Sequence, residues 1–394
     1  MTKKHIKDLK LKNKTVLVRV DFNVPLDDEG NVANDNRIKA ALPTIDYLIE
    51  NEAKVILMSH LGRPKGERKP ELSLRPVAEK LSEIIGKDVK FVNDCIGSEV
   101  ETAVGKMEAG DIILLENTRF HAGEKKNDPD FARELAKPAN IFVNDAFGTA
   151  HRKHASNVGV ASMLPSAMGF LIEKELKYLR DSLTHPQKPF TAIFGGAKVS
   201  GKIELLERIL EKADNLLIGG AMMFTFIRAR GYETGKSLVE EDKIDMAKNV
   251  MELAEEKNVQ LVIPEDTVIA KEPEKNAETK TVFIEDIPQD WMGLDIGEKT
   301  IQKYKDIIAD SKTIVWNGPM GMFEIDKFST GTNEIAKALA ESNATTIIGG
   351  GDSAAAIEKI GLQDKFTHIS TGGGASLEML AGNELPGISI IPDA

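Results

Sequence analysis

The chain of 394 residues has a single cysteine, Cys95, so it cannot form an internal disulfide framework. It lacks Cys and His pairs at zinc spacing, and the basic residues Arg152 and Lys153 between His151 and His154 disfavour a cation there. No apolar run approaches the ~20 residues that span a bilayer, and the opening residues carry no apolar signal segment. These absences predict a cytoplasmic protein without a membrane role.

Excess positive charge is also absent. The formal net charge is −11 at pH 7, whereas binding to a phosphate backbone requires a surplus of Lys and Arg. This composition argues against a nucleic-acid partner, and any anionic ligand must be held by a local basic cluster. The length exceeds that of one ordinary hydrophobic core, so two domains are expected.

What the sequence does contain is an alternation of short apolar runs and helical segments. The apolar runs, each followed by a polar or Gly-rich turn, are 15–22, 54–60, 89–92, 111–117, 141–146, 190–194, 215–220, 259–266, 312–318, 344–351 and 366–371. Segments with helical spacing, such as 76–85, 202–213 and 332–342, lie between them. The alternation predicts an α/β protein with mostly parallel sheets and helices on both faces. An amphipathic stretch at 169–190 separates the two halves.

The residues that follow the predicted strands differ between the halves, and ligands of open α/β sheets bind at those strand ends. In the first half they are polar or basic: Asp21, Asn23, Arg37, His60, Arg63, Arg119, His151 and Arg152. In the second half they are mainly glycines: Gly195, Gly196, Gly219, Gly220, Gly349–Gly351 and Gly372–Gly374. Arginine pairs bidentately with carboxylate or phosphate, whereas glycine turns that open helices suit a polyphosphate. The asymmetry predicts a different anionic ligand for each half.

Three familiar sequence motifs are either incomplete or absent. From Gly196 the chain reads G-x-x-x-x-G-K, the frame of a P-loop, but Ile203 stands where a Ser or Thr would hold magnesium. The segment 351–355, GDSAA, is similar to a nucleophile elbow and leaves open a serine hydrolase that uses Ser353. No G-x-G-x-x-G follows a predicted strand, which disfavours a dinucleotide-binding oxidoreductase.

Eight longer segments, in order along essentially the whole chain, together closely resemble the phosphoglycerate kinase family. They are RVDFNVP (19–25), SHLGRPKG (59–66), LLENTRF (114–120), VNDAFGTAHRKHAS (143–156), GGAKVSGK (195–202), VWNGPMGMFE (315–324), GGGDSAAA (349–356) and STGGGASLE (370–378). The resemblance implies reversible transfer of the acyl phosphate of 1,3-bisphosphoglycerate to Mg-ADP, giving 3-phosphoglycerate and ATP. It also implies a monomer with small-molecule partners.

The resemblance further implies two Rossmann-like domains separated by a cleft. Residues 1–170 would bind phosphoglycerate, 171–188 would form a connecting helix and hinge, and 189–384 would bind nucleotide. A C-terminal tail, about 385–394, would return to the first domain. Because charges for transfer come from both halves, the two domains are expected to close during the reaction.

On the phosphoglycerate side, the resemblance implies glycerate contacts from Asp21 and Asn23 beside a basic patch. We define the basic patch as Arg37, His60, Arg63, Arg119 and Arg152. Within it, three arginines (63, 119 and 152) would hold the phosphate that is not transferred, and Arg37 would reach the transferring phosphoryl group. Leu61, Gly62 and His151 would complete the wall of this site.

On the nucleotide side, Lys202 resembles the lysine on the ATP phosphates, Lys198 the lysine that meets the transferring group, and Asp352 the aspartate that binds Mg²⁺. Glu324 resembles the ribose contact. The remaining residues implied for nucleotide binding are Gly196, Ala197, Gly220, Gly293, Asn317, Gly350, Gly351 and Ser353. The amides of Gly372, Gly373 and Gly374 would open a helix directed at the reacting centre.

Two departures from the family pattern stand out. The family usually has Asp where this chain has Gly201, and an Asp near a helix start caps free N–H groups better than Gly does. Met223 and Phe224 replace smaller or hydroxylated residues, so the family pattern does not predict the details of the adenine pocket in this chain. A non-catalytic nucleotide-binding protein of the same fold is the main alternative, although the set of Arg37, Lys198, Lys202 and Asp352 is complete.

Overall fold

A computed structural model describes residues 3–181 and 184–394, which divide into two compact units. Unit 1 extends to Leu176 and includes Glu384–Ala394, whereas unit 2 is Lys177–Asn383. Across these two described stretches, no helix combines the length and apolar character needed to cross a membrane.

Unit 1 is built on a six-stranded parallel sheet with the order β3-β4-β2-β1-β5-β6. Its strands are β1 (Thr15–Arg19), β2 (Lys54–Met58), β3 (Val89–Val92), β4 (Ile112–Leu115), β5 (Ile141–Asn144) and β6 (Ser166–Met168). Its helices include α1 (Asn36–Glu50), α2 (Arg75–Ile85), α3 (Ser98–Gly105), α4 (Gly123–Lys126), α5 (Pro129–Ala136) and α6 (Phe170–Glu175).

Both faces of this sheet are buried, which explains its continuous apolar strands. Along β1, Val16 and Val18 belong to one hydrophobic cluster and Leu17 belongs to another. Successive side chains of a strand point to opposite faces, so the two clusters lie on the two sides of the sheet. In a parallel sheet that is covered on both faces, the sequence of each strand is therefore a continuous apolar run rather than an alternation of apolar and polar residues.

Unit 2 has a second six-stranded parallel sheet, in the order β15-β14-β13-β7-β8-β9, and a three-stranded antiparallel sheet, β11-β10-β12. Its strands are β7 (Phe190–Phe194), β8 (Asn215–Ile218), β9 (Gln260–Val262), β10 (Asp266–Ala270), β11 (Thr279–Phe283), β12 (Met292–Ile296), β13 (Thr313–Asn317), β14 (Thr345–Gly349) and β15 (His368–Ile369). Its helices include α7 (Ile203–Leu210), α8 (Met222–Ala229), α9 (Ile244–Glu256), α10 (Glu298–Asp310), α11 (Thr330–Glu341), α12 (Gly351–Lys359) and α13 (Gly374–Leu380).

The predicted α/β class with mostly parallel sheets is confirmed. Every predicted apolar run contains a strand, but most strands end earlier than predicted because the polar residues at the end of each run lie beyond the sheet edge. The antiparallel sheet was not predicted. Its strand β11 is largely exposed, so it lacks the buried apolar pattern on which the prediction relied.

The predicted connecting helix begins as α6 and continues as π-helical Leu176–Asp181. Residues 182 and 183 of that predicted segment lie outside the described residues. The short helix α14 (Pro386–Ser389) near the C-terminus belongs to unit 1.

Buried hydrogen bonds hold the C-terminal segment to the end of β5. Asn144 is fully buried, and its side-chain amide donates to the Gly387 carbonyl oxygen at 2.8 Å. The Gly387 amide donates to the Ala150 carbonyl oxygen, also at 2.8 Å. Asn144 Oδ1 in turn accepts from the Ala146 amide at 3.2 Å. One strand-end side chain thus fixes both its own turn and the returning segment.

We predict that Asn144→Ala lowers the free energy of unfolding by about 1–3 kcal/mol, because it leaves a buried carbonyl and a buried amide without partners. Urea and thermal unfolding would measure the loss. The matched control is Asn140→Ala, which removes an exposed hydrogen bond to the Thr15 amide and should cost clearly less. Equal losses in the two variants would contradict this role.

Candidate functional site

In unit 1 the chain reverses its winding direction between β1 and β5. The connection after β1 leads to β2 on one side of it, and the connection after β5 leads to β6 on the other side. Such a switch point opens a crevice at the carboxyl ends of the strands. Asp21 and Asn23 follow β1, and His151 and Arg152 follow β5, so the topology brings these predicted site residues to one edge of the sheet.

Hydrogen bonds fix the loops that carry the predicted substrate residues. Arg37 Nη1 donates to Asp21 Oδ2 at 2.9 Å, while Arg37 remains about one-third exposed. Asn23 Oδ1 accepts from the Gly62 amide at 2.8 Å, and Arg119 Nη1 donates to the Gly62 carbonyl oxygen at 2.8 Å. Leu61 is fixed through its carbonyl oxygen, which accepts from Asn117 at 2.7 Å.

The electrostatic environment of His60 shows that the patch gathers positive charge. Burial, followed by the charges of Arg19, Arg119 and Arg37, holds the pKa of His60 well below its usual value. Its Nδ1 lies 3.1 Å from Arg19 Nη2, and a guanidinium can only donate, so Nδ1 accepts and Nε2 carries the proton. His60 is therefore a neutral hydrogen-bond donor within the basic patch rather than one of its cations.

Beneath the patch lies a buried network that the sequence analysis missed. Arg19 is 1% exposed and donates from Nε to Ser156 Oγ at 2.8 Å. The carboxylate of Glu124, itself fully buried, accepts from the hydroxyl and the amide of Ser156 at 2.6 and 2.9 Å. Burial lowers the pKa of His154 to about 3, so this residue adds no charge. A charged residue inside the apolar run 15–22 was the signal that could have revealed Arg19.

The other arginines of the patch remain open to a ligand. Arg119 Nε is buried and has no hydrogen-bond partner among the described residues. Burial, then the charge of Arg19, lowers its pKa to about 10, so Arg119 is protonated at neutral pH. Arg63 and Arg152 are exposed, and the Arg152 carbonyl oxygen accepts from Asn157 at 2.9 Å. A buried donor without a partner is expected to bind an acceptor such as phosphate.

In unit 2 the corresponding switch point lies between β7 and β13, and a pocket opens there. Its lining consists of Gly196, Ala197, Lys198, Lys202, Asn317, Gly318, Gly350, Gly351, Asp352, Ser353, Gly373, Gly374 and Leu377. We call this the glycine pocket. Most residues predicted for nucleotide binding and transfer are therefore brought together around one cavity.

Lys202 joins the two central strands at the base of the glycine pocket. Its ammonium group donates to the carbonyl oxygen of Gly195 and, at 3.1 Å, to that of Asn317. Gly318 has a positive φ of 94°, and an added Cβ would lie 2.4 Å from the Gly195 carbonyl oxygen and 2.7 Å from the ammonium nitrogen, so the backbone at this position requires glycine. Burial lowers the pKa of Lys202 to about 8, partly countered by the charge of Asp352.

Ser353 does not have the setting of a catalytic nucleophile. It is fully buried, and its hydroxyl accepts from the Gly318 amide at 2.7 Å. The residue therefore fixes the turn after β13 rather than presenting an oxygen to solvent. This geometry gives the serine hydrolase hypothesis no support.

Among the described residues, three of those predicted for nucleotide binding lie outside the lining of the glycine pocket: Gly220, Gly293 and Glu324. Gly220 packs against the turn at Gly196, since a Cβ added to Gly220 would lie 2.3 Å from the amide nitrogen of Gly196. Gly293 is covered by the buried ring of Phe224, which an added Cβ would approach to 2.0 Å. Glu324 is exposed. Their roles stay predictions.

Two places in the described chain have carboxylates that could serve a metal ion. Asp352 is the acidic residue of the glycine pocket and lies exposed in the first turn of α12. Mg²⁺ commonly binds one or two carboxylates together with substrate phosphates, so a lone carboxylate beside a phosphate pocket fits it.

The second place is a group whose ligand atoms lie within 4.8 Å of one another: Asp94, Cys95 and His121. Here His121 Nε2 and Asp94 Oδ1 already form a 2.7 Å hydrogen bond. Burial raises the pKa of the Cys95 thiol well above its usual value. A neutral buried thiol is a poor metal ligand, so we assign no metal to this group.

Two α/β units, one with an arginine-rich sheet edge and one with a glycine-lined pocket that contains two lysines, are the arrangement expected of a phosphotransferase. Comparison with known proteins identifies the family. The family model for phosphoglycerate kinase matches residues 6–383. Phosphoglycerate kinases of Thermosipho africanus and Finegoldia magna are 59% and 57% identical to this chain, and each match covers at least 98% of both chains.

The solved structure of phosphoglycerate kinase from Coxiella burnetii superposes with a TM-score of 0.88 at 43% identity, covering 99% of this chain and 98% of that one. The chain belongs to the phosphoglycerate kinase family. The family catalyses a step of glycolysis in which phosphate passes reversibly between 1,3-bisphosphoglycerate and Mg-ADP.

From the predicted role of the Lys202 charge in phosphate binding, we expect kcat/KM for Mg-ATP to fall as pH rises through about 8. Below this pH the lysine is protonated; above it the free protein loses the cation. Steady-state assays from pH 6.5 to 9.5 would measure the profile. In Lys202→Arg the guanidinium stays protonated, so the alkaline limb should disappear even though overall activity is lower. An unchanged limb in that variant would contradict the assignment.

Gly201 is not required by the backbone. An added Cβ would meet no atom within 4 Å, its φ lies outside the left-handed region, and α7 starts without a side-chain cap. Position 201 precedes Lys202, the N-cap residue of α7, and we predict that Gly201→Asp stabilises unit 2 by roughly a few tenths of a kcal/mol through capping and lowers KM for nucleotide. Gly201→Ala is the matched control for the loss of glycine flexibility. Equal unfolding free energies and kinetics in the two variants would exclude a capping effect.

Proposed function

We propose that unit 1 binds phosphoglycerate through the basic patch and that unit 2 binds Mg-ADP or Mg-ATP through the glycine pocket. The observation that supports this division most directly is the difference between the two sheet edges. One carries arginines around a buried guanidinium nitrogen that has no partner among the described residues, and the other carries glycine amides around two lysines. A small, compact anion suits the first edge, and a polyphosphate suits the second.

Within unit 1, we assign the non-transferring phosphate to Arg63, Arg119 and Arg152. Asn23 and the neutral donor His60 would bind the glycerate end. Arg37 is already oriented by Asp21 at 2.9 Å, so it would meet the transferring phosphoryl group in a prearranged position. Prearranged cations of this kind cost no reorganisation when charge develops in the transition state.

Within unit 2, Lys202 would hold the nucleotide phosphates and Lys198 the transferring group, aided by the amides of Gly373 and Gly374. Asp352 would hold the Mg²⁺ that accompanies the nucleotide, and the ion would neutralise phosphate charge. The attacking oxygen of ADP is already anionic, so no residue has to remove a proton from it. The chemistry therefore demands positioning and positive charge rather than a general base.

Because the two substrates are assigned to different units, transfer requires a conformation in which both units act on one phosphoryl group. Closure would also exclude water, which otherwise hydrolyses an acyl phosphate. We further propose that the protein works as a cytoplasmic monomer, on the basis of its single cysteine and its membership of the family.

The decisive experiment measures steady-state turnover with 3-phosphoglycerate and Mg-ATP, coupling the acyl phosphate formed to a dehydrogenase. We predict that Arg37→Ala lowers kcat by about 10²–10³-fold, since one prearranged donor to the transition state is lost. The matched control is Arg133→Ala, an exposed arginine of α5 that pairs with Asp130 and whose loss should leave turnover unchanged.

The outcomes separate the hypotheses. Turnover that needs both substrates and collapses only in the Arg37 variant supports the proposed roles. Turnover that survives in Arg37→Ala would remove Arg37 from the reaction. A wild-type protein that binds both ligands without turnover would favour the non-catalytic nucleotide-binding protein instead.

A further inference from the structure

Glu240, which no motif of the sequence marks, contacts the loop that carries Lys198. One carboxylate oxygen accepts from the amides of Val199 and Ser200 at 2.6 and 3.0 Å, and the other accepts from the Ser200 hydroxyl. Three donors from two adjacent residues thus converge on one side chain that lies 40 positions further along the chain.

The backbone of Glu240 is fixed as well. The Glu240 amide donates to Thr225 Oγ1 at 3.1 Å, and Thr225 is a buried residue of α8. The amide of Met222, at the start of α8, donates to the Gly196 carbonyl oxygen at 3.0 Å. Glu240 therefore connects the exposed loop to a helix that is itself fixed to the end of β7.

Glu240 is ionised at neutral pH. Partial burial acts to raise its pKa, but the hydrogen bonds from Ser200 and Val199 and the nearby charge of Lys198 outweigh that effect, and the pKa lies below its usual value. A carboxylate that accepts charge-assisted bonds from two amides is a strong, directional restraint on the backbone. The charge of the Lys198 ammonium thus acts directly on this carboxylate.

Besides Glu240, the loop is restrained by the buried side chain of Val199 and by the Lys202 amide, which donates to the Val199 carbonyl oxygen at 2.9 Å. Gly201 carries no side chain, and Lys202, the residue before α7, makes no side-chain cap. Lys198 itself is exposed. We propose that Glu240 is a positioning residue for phosphoryl transfer: it fixes residues 199–200 and thereby the direction from which Lys198 approaches the transferring group. This inference rests on the proposed role of Lys198.

The first test is independent of catalysis. In Glu240→Ala, amide hydrogen exchange at Val199 and Ser200 should be faster than in the wild type, because both amides lose their acceptor. The matched control is Glu241→Ala, which removes an exposed neighbouring carboxylate and should leave the exchange unchanged. Unchanged exchange in Glu240→Ala would overturn the inference, whether or not the protein is a kinase.

The second test asks whether the effect passes through Lys198. Glu240→Ala should lower kcat by about tenfold or more and leave KM for 3-phosphoglycerate unchanged, with Glu240→Gln intermediate. In a Lys198→Ala background, the same substitution should cost almost nothing further, since the group being positioned is gone. A full additional loss in the double variant would overturn the inference. Absence of turnover in the wild type would instead reject the proposed function.

Discussion

The ammonium group of Lys202 links the ends of the two central strands of unit 2, and the glycine pocket depends on this link. The lysine donates to carbonyl oxygens that follow β7 and end β13, where the winding direction of the sheet changes. A Cβ at position 318 would lie 2.4 Å from the Gly195 carbonyl oxygen that the lysine binds, and the amide of Gly318 donates to Ser353 Oγ. A single cation thus joins the two strand ends, and a pKa of about 8 leaves it charged at neutral pH.

Unit 1 concentrates positive charge by a different arrangement. Its deepest cation, Arg19, is balanced by the buried carboxylate Glu124 and by neutral acceptors, including the Nδ1 of His60. Keeping His60 and His154 neutral limits repulsion among the arginines above them. In a protein with a net charge of −11, a basic site of this density is maintained by local hydrogen bonds rather than by the overall field.

The sequence predicted the parts of this structure that follow from local pattern. Apolar runs located the parallel strands because both faces of the unit 1 sheet are buried. The polar or Gly-rich residues after each run indicated which side chains and turns lie at the carboxyl ends of the strands, and ligand binding there stays a prediction. The antiparallel sheet was not predicted because its strand β11 is exposed and lacks an apolar pattern. The sequence analysis also missed Glu124, Ser156 and Glu240. These residues act through contacts with segments distant in the sequence, and hydrophobic periodicity does not predict such contacts.

The false P-loop at Gly196–Lys202 shows why spacing alone is a weak guide to a phosphate site. A P-loop wraps phosphates with consecutive amides and supplies its own magnesium ligand. Here the amides of Val199 and Ser200 are already occupied by Glu240, so they cannot form such a cradle. In the proposed function, the positive charge would instead come from Lys202, which bonds across the sheet edge, and the carboxylate for magnesium from Asp352 on another helix. Gly201 completes the P-loop motif in the sequence alone, because nothing in the fold requires a glycine at this position.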